Sequence, residues 1–329
     1  MGLLPFEQAK REVVVLDSRA KSNPAYGCDP NSQSLDFRKK HGIVIINKPK
    51  NPTSHQVSGY VKDILELKLS GHSGTLDPIV TGVLPVALDK GTKLIQALIN
   101  TGKEYVCYMR IHKPVEEQTI RDVCASFIGD IEQLPPVKSA IKRQLRTRTI
   151  YYLEILEIVG QDVLFKVGCQ AGTYIRKLCT DIGEKLGGGA NMQQLIRTKA
   201  ASFNSKDTIT LQELQDAAVF SKDGDDSHLF SVVHPIERAV DHIPKIWVYD
   251  EAIGSILHGA QLAVPGIVKF DNPIRREEMV AIMSLKGELV ALANAEMTGL
   301  QLQKVKKGIA TKTLRVTMAQ DVYPRVKNE

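Results

Sequence analysis

The stretch Gly71-His72-Ser73-Gly74-Thr75-Leu76-Asp77-Pro78 holds one acidic side chain in a short, glycine-flanked turn. Gly71 and Gly74 open backbone angles closed to other residues, and Pro78 biases Asp77 toward an extended conformation. No carboxylate or cysteine adjoins Asp77 in sequence to suggest a metal site. An isolated, rigidly held aspartate can act as a nucleophile. An aspartate before proline more often only hydrogen-bonds the amides of its own turn, so the motif needs partners before it means chemistry.

Candidate partners lie further along. Tyr105 follows Lys103 and Glu104 at the head of an apolar run, and alternation puts Lys103, Tyr105, Cys107 and Met109 on one strand face. Its phenol is either core, with one partner for the hydroxyl, or faces a pocket where it stacks on a base or takes a proton. Gly172-Thr173-Tyr174-Ile175-Arg176, read as extended, places Tyr174 and Arg176 on one face after the alternating Val163, Phe165 and Val167. An arginine near a core wants an anion, and Asp77 fits; a salt bridge with no catalytic part fits equally. Lys138, Lys142, Arg143, Arg146 and Arg148 have no acidic residue among them and are followed by Tyr151 and Tyr152. That composition suits a loop on a phosphate backbone with aromatics to stack on unpaired bases, the plainer alternative being a solvated basic loop. Gly187-Gly188-Gly189 lacks the Lys-Ser or Lys-Thr of a phosphate loop and reads as a helix end. The eight histidines form no ligand cluster, and the five cysteines are scattered without zinc spacing, as reduced structural thiols of the cytosol would be.

These residues need a frame. A chain of 329 residues, 43% hydrophobic, is too long for one ordinary core and suggests two domains. Lys and Arg exceed Asp and Glu by 43 − 37 = 6, a modest excess whose clustering matters more than its sum. No run reaches the roughly 18–20 apolar residues of a membrane span, and the N-terminus lacks a signal-type apolar core. Residues 1–40 read as a polar, irregular extension. From 41 to 243 strands alternate with helices: a buried strand over 43–46, a helix capped by Ser54 with Val57, Val61, Ile64, Leu65 and Leu69 at helical spacing, and a strand over 105–111. Past the Ile243-Pro244 boundary, short β-like runs over 266–270, 279–284 and 289–293 suit a small β-barrel-like domain at 244–329.

Taken together, the motifs resemble one family, the RNA pseudouridine synthases typified by the bacterial enzyme for tRNA uridine-55. The resemblance rests on Asn47-Lys48-Pro49, Thr53-Ser54-His55, the Asp77 motif with Thr81-Gly82, Lys103-Glu104-Tyr105, Gly172 through Arg176, and Leu195 with Arg197. The Lys142–Tyr151 stretch, Leu257-His258-Gly259-Ala260, Val264-Pro265-Gly266, Lys286-Gly287-Glu288 and Tyr323-Pro324-Arg325 look like dyskerin and its archaeal counterparts. With no lysine-rich tail after Tyr323, an archaeal member is expected. Ile79, Ile196 and Asn47 depart from the family pattern, which puts one RNA contact in doubt.

The resemblance implies an α+β fold: a catalytic domain on a large mixed, mainly antiparallel sheet, plus a PUA RNA-binding domain against which the N-terminal extension packs. It implies that Asp77 is the nucleophile, that Tyr105 packs on a flipped uracil and shuttles its C5 proton, and that Arg176 pairs with Asp77. His72, Tyr174, Leu195 and Lys48 would line the substrate site. Lys138, Lys142, Arg143, Arg146, Arg148 and Gly259 would contact RNA. No cofactor is implied. The implied partners are an H/ACA guide RNA, rRNA and tRNA substrates, and small proteins including a kink-turn binder, in the cytoplasm. A guide-RNA scaffold without activity is the rival reading. A PUA-bearing methyltransferase is disfavoured because the strand at 43–46 leads to Lys48-Pro49 and not to a glycine-rich loop.

Overall fold

The computed structural model of the chain describes residues 2–134 and 144–325. Lys138, Lys142 and Arg143 lie outside the described residues. The strands, in chain order, are β1 (Glu12–Val15), β2 (Ile43–Lys48), β3 (Ser70–His72), β4 (Thr81–Leu88), β5 (Lys103–Ile111), β6 (Gly129–Gln133), β7 (Arg146–Val159) and β8 (Asp162–Cys169). They continue with β9 (Ala190–Ala200), β10 (Phe203–Asn204), β11 (Lys245–Val248), β12 (Leu262–Ala263), β13 (Ile267–Asn272), β14 (Met279–Met283), β15 (Leu289–Ala295) and β16 (Ile309–Val316).

Two sheets result. The larger runs β2-β4-β9-β5-β8-β7-β6, with β3 added on β4 and β10 on β9. Its β4–β9 pair is parallel and the other pairs are antiparallel, the mixed, mainly antiparallel sheet of an α+β fold. Strand β2 reads as a continuous apolar run because Ile43, Val44, Ile45 and Ile46 are all buried between layers. Helix Ser54–Ile64 packs Val57 and Val61 onto β2 and β4. Its cap is Thr53, in a capping box with Gln56, and not Ser54. The Ser54 hydroxyl instead accepts from the Leu76 amide at 2.8 Å and donates to the Leu76 carbonyl at 3.2 Å, directly before Asp77.

Residues 172–176 do not continue a strand. Gly172 takes a left-handed turn at φ 83°, and Arg176 lies in the first turn of helix Ile175–Lys185. Ile175, Leu178, Cys179 and Ile182, at helical spacing, fill the core against β5 and β9. Arg146 and Arg148, expected in a loop, lie on β7 opposite Gln133 and Ile131 of β6. Tyr152 is buried, with its hydroxyl on Glu104 at 2.6 Å, so it offers no ring for base stacking.

The second sheet runs β1-β13-β11-β14-β15-β16-β12. Its first strand comes from the N-terminal stretch, which therefore forms regular structure: β1 pairs antiparallel with β13, and helix Leu35–His41 follows. The sheets share a core in which Ile43, Val83 and Phe203 meet Ala281, Met283 and Leu289. Among the described residues no helix is long and apolar enough to cross a membrane.

Candidate active site

Asp77 sits at the tip of the connection from β3 to β4. Leu76 and Val80 are buried on either side, 3% and 2% exposed, while Asp77, Pro78 and Ile79 face solvent. The two apolar anchors fix the turn and leave the carboxylate outside. Lys48 completes the support from below: it is 0% exposed, and its ammonium donates to the carbonyls of Pro49 (2.9 Å), Pro78 (3.2 Å) and Val80 (2.9 Å). All three protons of Lys48 are thereby used, which replaces the expected substrate contact with a support for the Asp77 turn.

From helix Ile175–Lys185, Arg176 Nη2 donates to Asp77 Oδ2. Both side chains are about half exposed (53% and 50%), so the pair contributes at most about 1 kcal/mol to stability. What it supplies is orientation of a carboxylate that stays reachable. Tyr105 lies on β5 opposite Val167 of β8 and Arg197 of β9. Its half-buried ring packs on the cluster that holds Leu76, Val80, Ile175 and Leu195. Burial pushes the phenol above its usual range; Asp77 adds to the rise and Arg197 opposes it. Asp77, Arg176 and Tyr105 thus converge, although they come from a turn, a helix and a strand. The chemistry available is an exposed carboxylate with a guanidinium steering it and a phenol whose proton is held tightly.

His72, on β3, is half-buried, and burial followed by the nearby Arg197 lowers its pKa, so it presents a neutral ring. Its Nδ1 has no hydrogen-bond partner among the described residues. Tyr174 sits at the helix N-cap position with its backbone clamped by the buried Gln133 side chain at 2.9 and 3.1 Å. Leu195 is buried in the core under Tyr105. Among the described residues no three His, Cys, Asp or Glu side chains group as metal ligands. Cys107, Cys124, Cys169 and Cys179 are buried free thiols, and Cys28 is exposed.

The model of the TruB family pseudouridylate synthase N-terminal domain matches residues 62–118 and 110–175, and the tRNA pseudouridylate synthase B C-terminal domain matches 176–241. A DKCLD domain model matches 4–58 and a PUA domain model 244–317. The "Probable tRNA pseudouridine synthase B" of Methanosarcina mazei is 50% identical over 98% of this chain and 96% of its own. The chain belongs to the TruB family of pseudouridylate synthases. Its counterpart in Pyrococcus horikoshii, under the same description, is 49% identical over 98% of this chain and 97% of its own. Among solved structures, one of a Cbf5-Nop10-Gar1 complex matches with a TM-score of 0.94 at 47% identity, covering 98% of this chain and 99% of that one. A structure of an H/ACA RNP bound to a substrate RNA containing 2'-deoxyuridine matches at 0.92 and 45%, covering 98% and 99%.

In this TruB-family chain the expected RNA contacts divide. Arg146 and Arg148 project from the end of β7, and the Arg148 guanidinium lies within 3.1–3.5 Å of where a Cβ on Gly172 would stand, just before the helix that carries Arg176. Gly259 is exposed at φ 91° after helix Asp250–Leu257, with open space around it, so a backbone there is approachable. Arg197, part of the motif but not singled out as a site residue, is 1% exposed and faces Tyr105. An arginine in register with Leu195, two residues on and so on the same strand face, was the signal that could have found it.

Proposed function

We propose that this chain isomerises uridine to pseudouridine in RNA, as the catalytic subunit of a box H/ACA guide particle acting in the cytoplasm on rRNA, and also on tRNA uridine-55. The observation that supports it is the convergence of Asp77, Arg176 and Tyr105 at an open turn, in a chain matched over its length by a Cbf5-Nop10-Gar1 complex and by an H/ACA particle holding substrate RNA. The target uridine leaves its stack to reach the carboxylate. Asp77 bonds C1′ as the C1′–N1 bond breaks, or takes the C2′ proton; the uracil turns, and the C1′–C5 bond forms as the Asp77–C1′ bond breaks or as that proton returns to C2′. C5 then loses its proton and N1 gains one, so the isomerisation is redox-neutral and internal to the substrate. Arg176 pairs with Asp77 and orients it, and Tyr105 packs on the base and handles the C5 proton. His72 and Tyr174 contact the opened RNA, and Leu195 and Lys48 support the pocket from behind. Arg146, Arg148 and Gly259 hold RNA outside it. Small proteins corresponding to Nop10 and Gar1, and a kink-turn binder, complete the particle.

The test is reconstitution with guide RNA and the small proteins, comparing the chain with Asp77→Asn. RNA binding should persist while pseudouridine formation falls by at least about 10⁴-fold. Turnover retained by Asp77→Asn would remove the nucleophile, and binding without product in the unsubstituted chain would leave a guide-RNA scaffold.

A further inference from the structure

Arg197 is the least exposed arginine charge near the site, yet among the described residues no carboxylate pairs with it. A buried cation without a counter-ion is costly, and it persists only where several acceptors or a functional anion repay the lost hydration. Here the acceptors are specific. Arg197 Nε donates to the Val83 carbonyl at 2.7 Å, and both terminal nitrogens lie 3.5 Å from the Gly74 carbonyl. Gly74 stands three residues before Asp77, and Val83 lies in the buried part of β4 six residues after it, so one guanidinium ties the two arms of the catalytic turn. Strand β4 reaches it because Gly82 pairs with Arg197; a Cβ at Gly82 would stand 2.2 Å from the Arg197 carbonyl oxygen. On the opposite side β9 pairs with β5, and there the residue facing Arg197 is Tyr105.

We propose that Arg197 is a positioning residue for the isomerisation: it clamps the arms of the Asp77 turn and, with the same guanidinium, orients the Tyr105 phenol and stabilises the phenolate that forms when that phenol relays a proton. This rests on the function proposed above. In the closing step the C5–H bond breaks, its electron pair enters the ring, and N1 gains a proton. A phenol that gives up its proton and takes the one from C5 ends unchanged but passes through the anion. The groups facing that anion are Arg197 from β9, Cys169 from β8 and Asp77 from the turn, whose own partner is Arg176. Burial, Cys169 and Asp77 all disfavour the phenolate, and Arg197 is the cation that opposes them. Arg197 stands opposite Tyr105 across the β9–β5 pair, a position from which a guanidinium can donate to the phenol oxygen and leave its O–H for the base.

Single-turnover rates on the preassembled guide–substrate complex test this as a function of pH, for Arg197→Met and Arg197→Lys, each with Tyr105 and with Tyr105→Phe. Arg197→Met should slow the reaction about 100-fold, the scale of a lost proton-transfer contribution, and move the rate profile toward higher pH. Arg197→Lys should recover part of the rate and restore the profile. In the Tyr105→Phe background, Arg197→Met should cost only about 10-fold or less, the part left being the loosened Asp77 turn. An equal loss in both backgrounds, with no shift along the pH axis, would overturn the phenol role and leave Arg197 as framework. Should Arg197→Met not fold, Arg197→Lys alone carries the comparison; should Tyr105→Phe be too slow to follow, the pH displacement decides. No product from the unsubstituted complex would defeat the function itself, whereas an active complex with additive losses would defeat only this inference.

Discussion

Lys48 and Arg176 carry the same charge next to the same turn, and their surroundings give them opposite work. Arg176 is half exposed and holds the Asp77 carboxylate; Lys48 is wholly buried and holds the backbone on which that carboxylate stands. Burial and then Arg197 lower the Lys48 pKa, with Asp77 opposing, so its charge depends on the carbonyl cage and the nearby carboxylate. Lys48→Met keeps the length of the stem and strands three carbonyls. We expect a loss of about 2–4 kcal/mol in urea denaturation, with a slower single-turnover rate and an unchanged affinity for RNA. If the affinity for RNA falls and stability does not, Lys48 touches substrate as its motif suggested. The sequence made Lys48 visible but not its direction, because whether a lysine faces water or carbonyls is decided by Pro78 and Val80, thirty residues away.

At the scale of elements, what was legible followed periodicity, and what was not followed geometry between strands. The apolar run at 43–46, the helix after Thr53 and the β runs past residue 266 all show their period in sequence, and they form β2 (Ile43–Lys48), Ser54–Ile64 and β13 to β15. The segment 172–176 was misread because Tyr174 offers no capping oxygen, and two alternating residues look extended until Leu178, Cys179 and Ile182 are counted with Ile175. Gly82 shows the other limit. Its φ of 105° and the Arg197 backbone against it come from β4 and β9 running parallel, a pairing that no local pattern announces. Gly82→Ala should therefore cost at least about 2–3 kcal/mol and depress turnover, since it combines a strained backbone with a 2.2 Å clash against main chain. Gly160→Ala is the control: φ is 58° with nothing within 4 Å of the new methyl, so only about 1–2 kcal/mol is expected and activity should stay. Equal losses of stability and activity in the two variants would show that the β4–β9 contact is not tight.

Across the whole molecule, the junction near residue 243 is a weld and not a linker. Ile236, Ala239, Val240 and Ile243 share a core with Ala281 and Met283, and Arg11 of the N-terminal stretch donates to the carbonyls of Asp241, His242 and Ile243. His242 is the polar centre of that weld: 8% exposed, with Nε2 at 3.0 Å from the Ala97 carbonyl and 3.1 Å from Thr101 Oγ1, its ring edge-on to Phe6, and its carbonyl accepting from Arg11. Burial pulls its pKa from 6.5 to about 4; the Ala97 carbonyl favours the proton, while Arg11, Lys103 and Lys245 oppose it. Above pH 6.5 neither the folded nor the unfolded chain protonates it, and stability does not depend on it. Between 6.5 and 4 the unfolded chain binds a proton that the folded one refuses, so stability falls as pH falls, and the loss is complete below 4, on the order of 3 kcal/mol. His234, half-buried and also lowered by burial to about 4, adds a loss of the same sign. Glu237, raised by burial, works the other way, because its folded form holds the proton more tightly. The comparison must therefore be a difference between two chains. His242→Gln keeps an amide donor for Ala97 and Thr101 but does not titrate. Its urea midpoint should fall less than that of the unsubstituted chain between pH 7 and pH 5, with the two converging in acid. Parallel curves would mean that the imidazole binds its proton equally well inside the weld and in the unfolded chain, and that acid opens the molecule somewhere else.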